Sequence, residues 1–260
     1  MSAPVLSKAE IEALARASVE TIDGETAPGI LLICEHAGRT VPSAWADLGL
    51  PRPLLDTHFG WDAGAGALTE ALARRLRAPA VLAAYSRLFL DINRFETDWD
   101  VMRPDLAGIP VPANIEPDSA DRALRERIAR QPFDRAAQAH LARFGPAGRP
   151  AVISIHSFTP LVQGKSRPTE IGVLWREACL MGPPVLESLR REGRYMIGDN
   201  EPYDWRLVEG YTLRRHALDR NRPCLYLEIR NDLLATARGV EEVADSLGPA
   251  LADCVVGLPA

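Results

Sequence analysis

Two short apolar runs, Ile30–Cys34 and Ala151–Ile155, limit most strongly what this chain can fold into. Each follows a Gly or Pro, is too short for a helix and offers no continuous polar face. Each therefore reads as a strand buried on both sides. Ala80–Ala84, Ile171–Trp175 and Cys224–Ile229 are further strand candidates. Helical patterning runs over 7–21, 62–77, 118–130, 133–143, 177–192, 205–217 and 239–254. Ser7 opens the first, with Glu10 three residues on, a capping-box pattern. Residues 96–117, rich in Pro and Asp, read as surface loop. Helices alternating with buried strands specify an α/β fold whose sheet is covered on both faces. With no repeat and no low-complexity linker, residues 1–260 read as a single domain, with 1–28 as an N-terminal helical extension.

At 260 residues the chain can bury a full core without disulfides or a structural metal, so a metal site here would serve chemistry. The net charge of −5 lacks the basic footprint of a nucleic-acid binder. Lys8 and Lys165 are the two lysines, against 28 arginines, a bias that lowers the weight of any single arginine. Cys34, Cys179, Cys224 and Cys254 form no C-x-x-C pair, which argues against a zinc ribbon or a disulfide scaffold. The N-terminus lacks the basic start and apolar core of a secretory signal. No stretch nears the ~20 apolar residues that span a bilayer. A reduced, cytoplasmic setting without membrane contact is expected, and oligomeric state has no signature in the sequence.

In open α/β sheets ligands gather at the carboxyl ends of strands, so the polar residues there are the first candidates. Glu35 and His36 follow Cys34; His156 and Ser157 follow Ile155; Glu228 falls among apolar neighbours in the last strand candidate. A catalytic zinc takes three protein ligands and leaves one position open. With His36 and His156 as two of them, Asp62 is the choice for the third, and Glu35 and His58 are its rivals. Asp62 also suits a helix N-cap, and Glu228 would find an ordinary partner in Arg230.

In Tyr85–Arg94, alternation places Arg87 and Asp91 on one face of an extended segment. An arginine fork there suits a developing oxyanion, and Asn93 with Arg94 would clamp a substrate carboxylate. No H-E-x-x-H helix, G-x-S-x-G elbow, Walker loop or G-x-G-x-x-G is present, which disfavours a serine hydrolase or a dehydrogenase.

Seven blocks in consistent order, Cys34–Gly38, His58–Asp62, Ser86–Arg94, Ser154–Phe158, Gly198–Tyr203, Gly210–His216 and Leu227–Asp232, resemble the N-formylglutamate amidohydrolase family. The resemblance spans about Ile30 to Leu234. It implies a three-layer α/β/α sandwich around a mixed, mostly parallel sheet, like that of zinc exopeptidases. It also implies one zinc held by His36, Asp62 and His156, with Glu228 as catalytic carboxylate. His36 is followed by Ala37, Gly38 and Arg39, not by the H-x-x-E of many carboxypeptidase-like enzymes, so the acidic ligand must come from elsewhere.

The chemistry implied is hydrolysis of a small N-acyl amino acid such as N-formylglutamate, within amino-acid catabolism. Glu228 would move the water proton to the leaving amine and Arg87 would stabilise the oxyanion. Asn93 and Arg94 would hold the α-carboxylate, and the loop carrying Asn200 and Tyr203 would face the substrate. Arg87, Lys165 and Arg167 are candidates for a side-chain carboxylate, and the N/O donor set would also accept cobalt, nickel or manganese. Two other readings stand beside this one: a zinc amidase for a short peptide or cell-wall amide, and a non-catalytic binder of an acidic amino acid.

Overall fold

The apolar runs form the middle of a seven-stranded mixed sheet. The protein is described by a computed structural model over residues 3–146, 148–207 and 209–257. The strands are β1 (Val19–Ile22), β2 (Ile30–Cys34), β3 (Ala80–Ala83), β4 (Ala151–Phe158), β5 (Ile171–Leu174), β6 (Ile197–Asp199) and β7 (Cys224–Arg230). They lie in the order β1-β3-β2-β4-β7-β5-β6. β3, β2, β4 and β7 are parallel, β1 is antiparallel at one edge, and β5 with β6 runs antiparallel to β7 at the other. The main helices are α1 (Lys8–Ala17), α2 (Ala65–Leu76), α3 (Ser119–Arg125), α4 (Gln131–Ala142), α5 (Gly182–Glu192), α6 (Tyr211–His216) and α7 (Ala237–Val256). None of the described helices is long and apolar enough to cross a membrane.

Period-two alternation gives each central strand two faces. Leu32, Cys34, Ile153, Ile155, Leu225 and Leu227 pack against α2, α5 and α7. Leu31, Ile33, Val152, Cys224 and Tyr226 pack on the opposite side, against α1, α4 and α6 and the long segment after β3. The result is the expected α/β/α sandwich. By parity, Ser154, His156, Tyr226 and Glu228 share the second face, and the parallel register sets Tyr226 beside Ser154 and Glu228 beside His156.

Several boundaries differ from the sequence reading. The helix expected over 7–21 stops at Ala17, because Val19, Thr21 and Ile22 favour an extended chain that pairs with β3. The segment 1–28 thus adds an edge strand as well as a helix. Gly182 begins α5 five residues later than expected, after Leu180 takes a left-handed conformation. The 205–217 helix contracts to Tyr211–His216. Residues 85–94 are a chain of turns, not an extended segment, yet a turn still brings Arg87 to Asp91.

Two buried arginines hold that turn segment from behind. Arg125, fully buried, donates to the carbonyls of Phe89 and Ala113 and to Asn114 Oδ1, and pairs with Asp121 at 2.7 Å. Arg130 donates to the carbonyls of Ile92 and Arg94. Removing one partner of a buried ion pair strands the other, at a typical cost of ~3–5 kcal/mol. Arg125→Ala is therefore expected to destabilise the fold by about that much. Urea unfolding checks this, and a change below about 1 kcal/mol would show that the network is not structural.

Candidate active site

The polar face at the carboxyl ends of β2, β4 and β7 is where the predicted residues meet. His36 stands two residues beyond β2 and His156 lies inside β4, which runs three residues further than expected. Asp62 is tied to the first of these by its backbone N–H, which donates to the His36 carbonyl at 3.0 Å. Gly64, at φ +82°, then turns the chain straight into α2 so close to Leu234 that a Cβ would not fit. Gly64 occupies the cap position, so the Asp62 carboxylate is free to face the imidazoles.

Asp62 Oδ2 lies 2.9 Å from His156 Nδ1 and 3.4 Å from His36 Nδ1. The other nitrogen of each ring meets a second carboxylate. His36 Nε2 is 2.8 Å from Asp91 Oδ1, and His156 Nε2 is 3.3 Å from Glu35 Oε2, with the Ser154 hydroxyl between them. Asp91 and Glu35 are themselves anchored, Asp91 by Arg87 and the Asn93 N–H, Glu35 by Ser154 and Thr212. Glu35 therefore stands behind His156, and His58 is exposed with its ring tilted against Phe59 and is not among the converging donors.

Burial opposes charge on both rings, but the facing carboxylates outweigh it. Asp91 and Asp62 raise the pKa of His36 against burial and Arg87; Glu35 and Asp62 raise that of His156 well above its ordinary 6.5. Asp62 and Asp91 are held low despite burial, chiefly by His36 and Arg87 respectively.

The donor set suits a divalent metal. One atom from each of His36, Asp62 and His156 lies within 4.8 Å of the others. Each imidazole has a carboxylate on its far nitrogen, the arrangement that orients metal-ligating histidines. Because the facing carboxylates raise the pKa of both rings, metal uptake competes with protons for them. Zinc binding to chelator-treated protein is expected to release protons near pH 7 and to strengthen as pH rises. Calorimetry in buffers of different ionisation heat measures this; uptake without proton release would contradict the assignment.

A cavity of about 520 Å³ opens over this cluster. Glu228 lines it, with one carboxylate oxygen buried and unpartnered, and burial raises its pKa to about 7. Arg87 also lines it, clamped by Asp91 at 2.7 Å and Asp62 at 3.3 Å. Asn93 and Arg94 reach the same cavity; Asn93 Oδ1 accepts from the Thr212 N–H, and Arg94 pairs with Asp100 at 3.2 Å. Tyr203 lies on the rim, its hydroxyl accepting from Arg167 at 3.1 Å. Asn200 is not part of the cavity wall: its buried side-chain oxygen accepts the Trp175 N–H. Lys165 is exposed in the hairpin Leu161–Ser166 and also lies outside the wall, whereas Arg167 forms part of it. His216 is buried against Asp134, away from the cluster.

The sequence reading missed Asp91 and Glu35 as carboxylates behind the histidines, and Arg103 as a wall residue. Only the position of Asp91 in its block and of Glu35 beside His36 hinted at the first two. Arg103 gave no signal.

A parallel-centred sandwich with a metal-type donor set and a near-neutral carboxyl at its strand ends falls in the class of α/β/α amide-bond hydrolases. Within that class, the chain belongs to the N-formylglutamate amidohydrolase family, whose sequence profile matches residues 29–235. The gene product Atu2144 from Agrobacterium tumefaciens is 30% identical, with a TM-score of 0.86 over 94% of this chain and 97% of that one. An N-formylglutamate amidohydrolase from Ralstonia eutropha JMP134, 19% identical, shares the fold at a TM-score of 0.65 over 91% of this chain and 96% of that one. A comparison with curated proteins returns no match.

Proposed function

We propose that the chain is a zinc-dependent, cytoplasmic, single-domain amidohydrolase of small N-acyl amino acids, with N-formylglutamate or a similar N-acylated acidic amino acid as substrate. The observation that carries this reading is the buried, unpartnered carboxyl of Glu228 in the same cavity as His36, Asp62 and His156. A buried carboxyl kept near neutrality beside a metal-type donor set is poised to take up and release a proton at neutral pH.

His36, Asp62 and His156 would hold the zinc, whose chemistry there is Lewis acidity toward a carbonyl and acidification of water. Glu228, with a pKa of about 7, accepts the water proton and returns it to the departing amine nitrogen. Arg87, fixed by two carboxylates, presents its guanidinium edge to the oxygen that gains charge. Asn93 and Arg94 orient the α-carboxylate, so that the scissile amide is positioned before reaction. Tyr203 donates from the rim. The products are a small carboxylic acid and a free amino acid.

Elemental analysis of protein purified without chelator, paired with release of free amino acid from N-formyl, N-acetyl and dipeptide substrates, tests the proposal. About one zinc per chain and turnover of an N-acyl acidic amino acid are expected. Protein that takes up no metal and forms no product would overturn it in favour of the binding reading.

A further inference from the structure

Four arginines line the cavity, and they fall into two kinds. Arg87 and Arg94 are neutralised by Asp91, Asp62 and Asp100. Arg103 and Arg167 have no carboxylate partner among the described residues. Each is instead braced between two aromatic rings. Arg103 lies 5.7 Å from the Phe59 centroid and 5.4 Å from that of Trp99, while its Nε donates to the Asp105 carbonyl. Arg167 lies 5.5 Å from Phe158 and 5.2 Å from Tyr203. Arg167 Nη1 also donates to the Tyr203 hydroxyl at 3.1 Å, so in both arginines the bracing fixes the guanidinium plane and leaves the remaining N–H groups for an anion.

The acids of the wall complete the count. Asp62 and Asp91 face the histidines and Arg87; Asp100 faces Arg94; Asp204 pairs with Arg206 at 2.8 Å. Glu209 pairs with Arg176 at 3.1 Å and with Arg214. Glu228 alone has no cationic partner, and it faces the metal-type donor set rather than the arginines. A protein of net charge −5 thus carries two unmatched cations on its cavity wall. Their field is felt inside: partial burial first, then Arg87, Arg167 and Arg103, depress the pKa of His58, which lies on the same wall.

We infer that Arg103 and Arg167 supply the counter-charge for a dianionic ligand and so select N-acyl amino acids with an acidic side chain. Arg94, already balanced by Asp100, gives direction to a carboxylate without adding net charge. The N-acyl part of this ligand rests on the amidohydrolase proposal; the demand for two negative charges rests on the wall itself.

The test compares N-formyl-L-glutamate with its neutral isostere N-formyl-L-glutamine. Wild-type protein is expected to favour the acid in kcat/KM, and Arg103→Met/Arg167→Met to lower that preference by about 10- to 100-fold, the scale of a lost charged hydrogen bond. Arg103→Lys/Arg167→Lys should recover part of it. Binding of the same two compounds to zinc-loaded Glu228→Gln protein, with and without the double Met change, reads the preference without chemistry. Absence of turnover in the wild type would then count against the amidohydrolase proposal alone. A binding preference lost in the double variant upholds the arginine assignment; no preference in its parent, or one retained in the variant, overturns it.

Discussion

Glu228→Gln is expected to remove turnover while leaving the metal bound. The substitution keeps the shape of a side chain packed in β7 beside His156 but cannot accept a proton. General-base contributions of this kind run to ~10²–10⁴-fold, so kcat on N-formyl-L-glutamate should fall by at least about 100-fold. Glu228 is not among the donors that converge on Asp62, so zinc content should stay at the wild-type level. Measuring kcat and metal on the same preparation separates the two properties. Activity within tenfold of wild type would take the proton-transfer role away from Glu228.

The second large effect concerns Asp62→Asn. Asp62 is the only anion among the three clustered donors, and both Nδ1 atoms face its Oδ2. Losing a carboxylate behind a metal-bound histidine commonly costs 10–100-fold in affinity, and losing a direct anionic ligand should cost more. Zinc affinity, measured by chelator competition, is expected to fall by about 100-fold or more. Undiminished affinity would mean that the third ligand is another group, although Glu35 sits behind His156 and His58, on the cavity wall, is not among the converging donors.

The central sheet was legible because burial on both faces leaves a plain mark: Ile30–Cys34 and Cys224–Ile229 were located within a residue of their observed ends. Edge elements were not. β1 has four residues and β6 three, and neither is long enough to set a period against its neighbours. The site was half legible. His36 and His156 announced themselves by following strands, and Asp62 by its place among glycines. The carboxylates behind them did not, because the pairing of His36 with Asp91 is made by the chain of turns over 85–94, which Arg125 and Arg130 hold from another element. Arg103 was invisible for a related reason. In a chain with 28 arginines, what distinguishes this one is its place on the cavity wall without an acidic partner, which only tertiary structure can reveal.

Glu228 is tied to His156 by the register of β4 and β7 and not by their separation along the chain. Insertions at the Gln163–Gly164 hairpin tip, beside Val162 on the cavity wall, leave that pairing untouched. Deleting one residue from Cys224–Leu227 would instead put Ile229 in the place of the carboxyl. Length variation is therefore permitted around the mouth and forbidden in the two strands beneath it. Descendants of this chain can rebuild what the cavity admits while inheriting its proton acceptor unchanged.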